Sequence, residues 1–454
     1  MRQLFGTDGI RAVAGEYPLD GPTVTAIGRA LGARLKRRTE SPRVVVGMDT
    51  RESSVWIADA LASGLAASGA AFESAGVITT PGIAYLTRTH GFNAGVVISA
   101  SHNPWQDNGI KLFGPNGMKL ADAIEHEIEQ DIFAHLDELA SGAAPVHATE
   151  AGNAAHRLAD DYIGWLCGSI DAAAVSGMRV LADCAHGAAS AIAPALFERL
   201  GIRADIMNAS PDGRNINSGC GALYPQHVAD RVRDAAGSYD LGITFDGDAD
   251  RALFSDANGH VVNGDAVMLV AGRDMKSRGK LPGDTVVATT MSNMGLEKAL
   301  RESGIRMLRA NVGDKYVLEE MQKTGATLGG EQSGHILFMD GDSTTGDGLL
   351  TALRVMELVA HSRRSLHELA ADLKVFPQVI RNVRVREKRP MAELPTVWAA
   401  IQAAERDLDG NGRAVVRYSG TEKLARVMIE AESEELMNKH VESIATALQT
   451  AIGE

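Results

Sequence analysis

Three aspartates alternate in the stretch FDGDADR: Asp246, Asp248 and Asp250, directly after an apolar run. Carboxylates that close repel one another unless a cation sits among them, and an all-oxygen ligand set suits magnesium or calcium. An isolated D-x-D is commonly an acidic surface turn. The third aspartate, the strand end before it and Arg251 after it favour a metal site instead. A calcium EF-hand would need Gly where Arg251 stands and Glu where Ala257 stands, so that reading fails. Magnesium is rarely caged by protein alone and keeps room for a phosphate oxygen. The aspartates therefore call for a phosphate nearby.

Ser101 is the candidate to supply one. It lies in GVVISASHNPWQDNGIKLF, where an apolar strand gives way to small hydroxyl residues, with Ser99, His102 and Lys111 around it. Beside a magnesium site a serine hydroxyl becomes a phosphoryl acceptor, because such transfer depends on positioning and charge neutralisation more than on covalent activation. Lys111 could take the proton or balance the phosphate. His102 could do likewise, although a histidine after a strand is often a structural hydrogen-bonder. GGEQSGH, Gly329 to His335, offers Glu331 and Ser333 to the hydroxyls or amine of a sugar, and His335 as cation or acid/base. Its plain alternative is a tight glycine turn. RYSGTEKLAR places Arg417, Ser419, Gly420, Thr421 and Arg426 where hydroxyls, backbone N–H groups and forked guanidinium could wrap a phosphate. Arg11 in FGTDGIR reads as a phosphate contact or a surface ion-pair residue, and DTR at Asp49–Arg51 as structural. There is no Walker A sequence, no dinucleotide glycine fingerprint and no H-E-x-x-H, which lowers nucleotide and nicotinamide chemistry.

The elements that must position these loops repeat three times. RVVVGMDTRESS, MRVLADCAHGAAS and DTVVATTMSNMG each begin a strand that turns into a helix, and each is followed by a second strand ending in one of the polar loops. Alternating strands and helices indicate parallel α/β units, whose ligands gather beyond the carboxyl ends of the strands. From about Gln378 the order is strand, helix, strand, strand, long helix: a small α+β module with RYSGTEKLAR as its hairpin loop. The expected domains are 1–150 with the serine loop, 151–250 with the aspartate loop, 251–370 with the sugar loop and 371–454 with the phosphate loop.

Bulk properties agree. At 454 residues the chain should be multidomain, and 45% apolar with 23% charged residues is ordinary for a globular protein. A net charge of -13 without a Lys/Arg run argues against nucleic acid, so an anionic ligand must be met by local positive charge. The three cysteines form no C-x-x-C pair and read as packing residues. No apolar run is long enough for a membrane span and no secretory leader is evident, so a cytoplasmic location with no membrane partner is expected.

SASHNP, FDGDADR, GEQSGH and RYSGTE, in this order and spacing over essentially the whole chain, resemble the α-D-phosphohexomutase family. The resemblance implies three related α/β domains with mixed sheets plus a fourth, smaller α+β C-terminal domain around a central cleft. FGTDGIR and the glutamine of GEQSGH resemble the branch interconverting glucosamine 6-phosphate and glucosamine 1-phosphate, a step toward UDP-N-acetylglucosamine and cell-wall precursors. On this resemblance Ser101 carries the phosphate, and Mg2+ is held by that phosphate with Asp246, Asp248 and Asp250. Arg251, Lys111, His102, Arg11 and His335 surround the reaction, Glu331 and Ser333 grip the sugar, and Arg417, Ser419, Gly420, Thr421 and Arg426 hold the other phosphate. A hexosamine or glucose 1,6-bisphosphate is the implied intermediate or activator. The partner is a small sugar phosphate, and a homodimer is compatible with the sequence. Two positions depart from the family: Ala12, where glycine is common, and Lys423, where proline is usual. The nearest rival is the same chemistry on mannose or glucose phosphates. Further off stand a phosphatase with an aspartate nucleophile and a sugar-phosphate-binding regulator.

Overall fold

The computed structural model describes residues 4–6, 8–140, 155–419 and 423–454, and they form two compact units: Met1–Met291 with Ile305–Ala371, and Ser292–Gly304 with Asp372–Glu454. Along the chain a strand, helix, strand, helix, strand run occurs three times, and the first helix of the third run falls to the second unit. The first run uses strands Arg43–Met48, Ala71–Val77 and Ala94–Ile98, the second Arg179–Asp183, Arg203–Met207 and Leu241–Phe245, and the third Thr285–Thr289, Arg306–Ala310 and Leu328–Gly330.

Within each run the first strand is central and pairs in parallel with the other two. The third strand then pairs antiparallel with the strand that follows its loop: Asp107–Phe113, Ala252–Ser255 and Ile336–Phe338 respectively. The same strand order thus arises three times in mixed sheets. The serine, aspartate and sugar loops are the connections at the carboxyl ends of the third strands, where ligands of such sheets collect. Val96, Val97, Ile98, Leu241, Ile243 and Phe245 are fully buried, as continuous apolar runs in doubly covered sheets should be. The outer strands AFESAGV, RADIM and RMLRA are half exposed and carry no such run. They belong to the repeat although the sequence pattern does not show them.

The second unit is the antiparallel sheet Gln378–Arg384, Leu424–Ala431, Gly412–Tyr418, packed with helices Pro395–Leu408 and Glu434–Ile452 over Val397, Ile401, Val427, Ile429, Val441 and Ile444. It also holds helix Met294–Glu302. Asn293 caps that helix and exchanges two hydrogen bonds with Phe376, at 2.9 Å from its N and 3.0 Å to its O. Met294 N donates to Glu430 Oε1 at 2.7 Å, and Arg413 joins Glu430 to the carbonyl of Ser292. Among the described residues no helix is long and apolar enough to cross a membrane.

Candidate active site

Ser101 leaves the Ala94–Ile98 strand in left-handed backbone, φ 52°, with its side chain buried. A non-glycine residue stays in that region only when its surroundings over-determine it. They do so here. Its N–H donates to Ser99 Oγ, which in turn donates to the buried Asp49. Its carbonyl accepts from Arg51 at 3.0 Å and from Asn217 Nδ2 at 2.9 Å, and the same two side chains hold the carbonyl of Asn103. The DTR motif is thus a buried brace for the serine loop.

The hydroxyl so fixed donates to Asp246 Oδ2 at 2.5 Å. Ligand atoms of Asp246, Asp248 and Asp250 lie within 4.8 Å of one another, all three residues buried. Gly247 lets the two loops meet, since a Cβ there would come within 2.4 Å of the Ser101 carbonyl oxygen. Thr80, at the start of helix Thr80–Thr89, donates through its hydroxyl to Asp248 Oδ2 at 2.6 Å and through its N–H to the Asp248 carbonyl. Lys111, opposite Val97 on the neighbouring antiparallel strand, reaches Asp248 at 2.8 Å, Asp8 at 3.0 Å and Asp250 at 3.4 Å.

These neighbours push the carboxyls apart. Burial, then the charges of Asp250 and Asp248, raise Asp246 well above the usual carboxylate range. Burial acts the same way on Asp250, but Lys111 and His335 outweigh it and hold Asp250 well below that range. Burial opposes the charge of Lys111 also, yet Asp248, Asp8 and Asp250 keep it an ammonium. In this arrangement the ammonium form of Lys111 is the favoured one. His102 differs: burial, then Arg251 and Arg11, lower it and favour neutral imidazole, with Nδ1 3.4 Å from Ser101 Oγ. Asp248 Oδ1 is buried without a hydrogen-bond partner, and Asp250 Oδ1 has none nearer than His335 Nδ1 at 3.5 Å. Unpaired buried carboxylate oxygens beside a third carboxylate are a donor set that fits a hard divalent cation.

The sugar loop belongs to the same neighbourhood. His335 is buried with Nδ1 3.5 Å from Asp250 and Nε2 3.6 Å from Asp314. Burial disfavours its charge, but Asp250, Asp314 and Glu331 raise it to about 9, making it a cation at neutral pH. Glu331 Oε1 accepts from Gly313 N, and Ser333 is half-buried in the same turn. Gln332 directs its amide to Asp265 at 3.1 Å. Arg251 donates its N–H to Asp246 Oδ1, and Arg11 its guanidinium to the Ala100 carbonyl. Asp8 links Arg11, Lys111 and Lys119, and Lys119 continues to Asp314. Asp8, Thr80, Asn217, Lys119 and Asp314 escaped sequence reasoning. Only the position of Asp8 inside FGTDGIR could have flagged it; the contacts of the others join segments remote in sequence.

In the second unit Arg417 and Arg426 face each other across the hairpin ladder, and the Ser419 carbonyl accepts from Lys388 at 2.7 Å. Gly420 and Thr421 lie outside the described residues.

Phosphoglucomutase/phosphomannomutase family models match the chain in four stretches: alpha/beta/alpha domain I over 2–138, domain II over 160–259, domain III over 263–376 and the C-terminal domain over 381–447. A phosphoglucosamine mutase of Koribacter versatilis is 65% identical over 453 residues, covering 100% of this chain and 98% of its own. A family protein of Burkholderia thailandensis superposes with a TM-score of 0.78 at 23% identity, over 98% of this chain and 97% of that one. The N-acetylphosphoglucosamine mutase of Aspergillus fumigatus, solved with GlcNAc-6P and magnesium, gives a TM-score of 0.67 at 21% identity, over 99% and 96% of the chains. At such identities the two solved structures establish a shared fold.

Proposed function

The chain belongs to the phosphoglucomutase/phosphomannomutase family, and on that premise we propose that it interconverts glucosamine 6-phosphate and glucosamine 1-phosphate through a phosphorylated Ser101 and a 1,6-bisphosphate. The observation that carries this reading is the buried Ser101 hydroxyl donating to Asp246, one of three clustered aspartates with unpaired oxygens among them. The Koribacter versatilis relative supports the hexosamine substrate.

In this reading a phosphoryl group moves from Ser101 Oγ to the free O1 or O6 hydroxyl of the sugar. The Ser101 O–P bond breaks, the new O–P bond forms, the sugar hydroxyl loses its proton and Ser101 regains one. His102, neutral and beside Oγ, is the proton relay. Lys111, Arg251 and His335 stay charged through the step and stabilise the phosphate. Asp246, Asp248 and Asp250, with an oxygen of the Ser101 phosphate, would hold Mg2+, which when bound supplies positive charge to the phosphate oxygens. Glu331 and Ser333 are assigned to the sugar, Arg11 to the phosphate being transferred, and Arg417, Ser419, Gly420, Thr421 and Arg426 to the phosphate at rest. The domain division 1–150, 151–250, 251–370 and 371–454 and a cytoplasmic location belong to the same proposal.

Incubating the protein with glucosamine, glucose or mannose 6-phosphate, Mg2+ and trace 1,6-bisphosphate, with products read by phosphorus NMR, tests it. Preferred turnover of the glucosamine ester is expected. Preference for mannose or glucose phosphate would move the substrate to the rival, and free inorganic phosphate as the product would replace the mutase by a phosphatase.

A further inference from the structure

A second cluster of ligating groups lies outside the site described above. Asp256 follows the Ala252–Ser255 strand and is fully buried. Its Oδ1 accepts the N–H groups of Asn258 at 2.8 Å and His260 at 2.9 Å, which fixes the carboxylate plane and leaves Oδ2 for other partners. Two imidazoles meet that oxygen: His260 Nδ1 at 3.0 Å and His367 Nδ1 at 3.0 Å. The rings stack, with centroids 5.3 Å apart and planes 29° from parallel, so both present the same nitrogen to the same point. His367 sits on Leu366–Ala370, the last helix before the chain leaves the first unit.

We propose that Asp256, His260 and His367 form a binding site for a divalent transition-metal ion of the zinc class. Ligand atoms of the three lie within 4.8 Å of one another. Tetrahedral zinc with bonds of about 2.0–2.1 Å needs donor atoms about 3.3 Å apart, so the two 3.0 Å spacings open by only a few tenths of an ångström to admit the ion. On binding, each Nδ1 would give up its hydrogen and turn its lone pair to the ion that Oδ2 also meets. Two imidazoles and one carboxylate suit zinc, cobalt or nickel, whereas magnesium prefers oxygen alone, so this site and the three aspartates select different ions. The backbone donors on Asp256 Oδ1 supply the outer support that orients metal-binding carboxylates. The side chains of His260 and His367 are 65% and 50% exposed, which leaves an entry path and room for water as the remaining ligand.

Co2+ titration of the chelator-stripped full chain, in excess Mg2+ to occupy the aspartate cluster, tests this through visible absorption and thermal melting. One Co2+ should bind, show d–d bands and raise the melting temperature. His260→Ala and His367→Ala should each weaken binding more than about tenfold, the scale on which even outer-shell partners matter, and leave Mg2+-dependent turnover unchanged. Both positions are exposed enough for the variants to fold, which their unaltered melting without Co2+ would verify. Absence of binding, competition of Co2+ by Mg2+, or wild-type affinity in either variant would each overturn the assignment.

Discussion

Ser101→Ala removes one buried oxygen while Arg51 and Asn217 keep their grip on the Ser101 carbonyl, so the loop should hold. Turnover should vanish with melting unchanged, and mass spectrometry of the active wild type should find phosphate on Ser101; full activity in the variant would end the shuttle. Asp248→Asn keeps the shape but removes the charge that Lys111 and Thr80 share. Mg2+ affinity and turnover should fall together in a titration at limiting metal. A third residue offers a pH test. Asp347 caps helix Gly348–Ser362 through Leu350 N and accepts from Tyr162 OH, and burial raises its carboxyl from 3.8 to about 6. The folded chain thus keeps this proton longer than the unfolded chain, so the stability that protonated Asp347 contributes is complete below about pH 4 and is lost as pH rises through 6. Asn mimics the protonated form and escapes that loss. Asp347→Asn should gain on the wild type by on the order of 2 to 3 kcal/mol between pH 4 and pH 7, measured by denaturant unfolding at both. A difference independent of pH would show that Asp347 does not titrate there.

The loops were more legible than the frames that carry them. FDGDADR and SASHNP announce themselves because clustered charges and hydroxyls after apolar runs need a chemical reason, and Ser99, Ser101 and the three aspartates prove to be buried. Strands such as Arg43–Met48 and Leu241–Phe245 were readable because they are mostly apolar. Ala71–Val77, Arg203–Met207 and Arg306–Ala310 were not, because half-exposed outer strands alternate weakly and mix polar residues into both faces. Contacts such as Thr80 with Asp248 have no local signature at all; they follow from the way neighbouring sheets present their loops. Loop approach is itself testable. Gly247→Ala would set a methyl against the Ser101 carbonyl and separate serine from aspartates. A displacement of about 1 Å at a reacting centre costs on the order of a hundredfold, so kcat should drop by that scale while the sugar loop, untouched, leaves KM little changed in steady-state kinetics.

Arg417 belongs to the second unit, and its proposed role makes that unit part of substrate use. Arg417→Ala should lower kcat/KM by roughly thirtyfold, or about 2 kcal/mol, as expected for a lost charge-assisted contact, while Ser101 can still be phosphorylated. Unaltered kinetics would reduce RYSGTEKLAR to a turn. The second unit also draws on chain from two separate places, since helix Met294–Glu302 joins Asp372–Glu454 across an intervening stretch of the first unit. During synthesis on the ribosome, Ser292, Asn293 and Met294 therefore emerge well before Arg413, Phe376 and Glu430, the residues their hydrogen bonds close on. At about 5–20 residues per second the start of that helix waits for seconds, these hydrogen bonds unmade, until the last strand has left the exit tunnel. A nascent chain stalled just before Phe376 should accordingly exchange the Met294 amide hydrogen faster than one stalled after the end of the sheet.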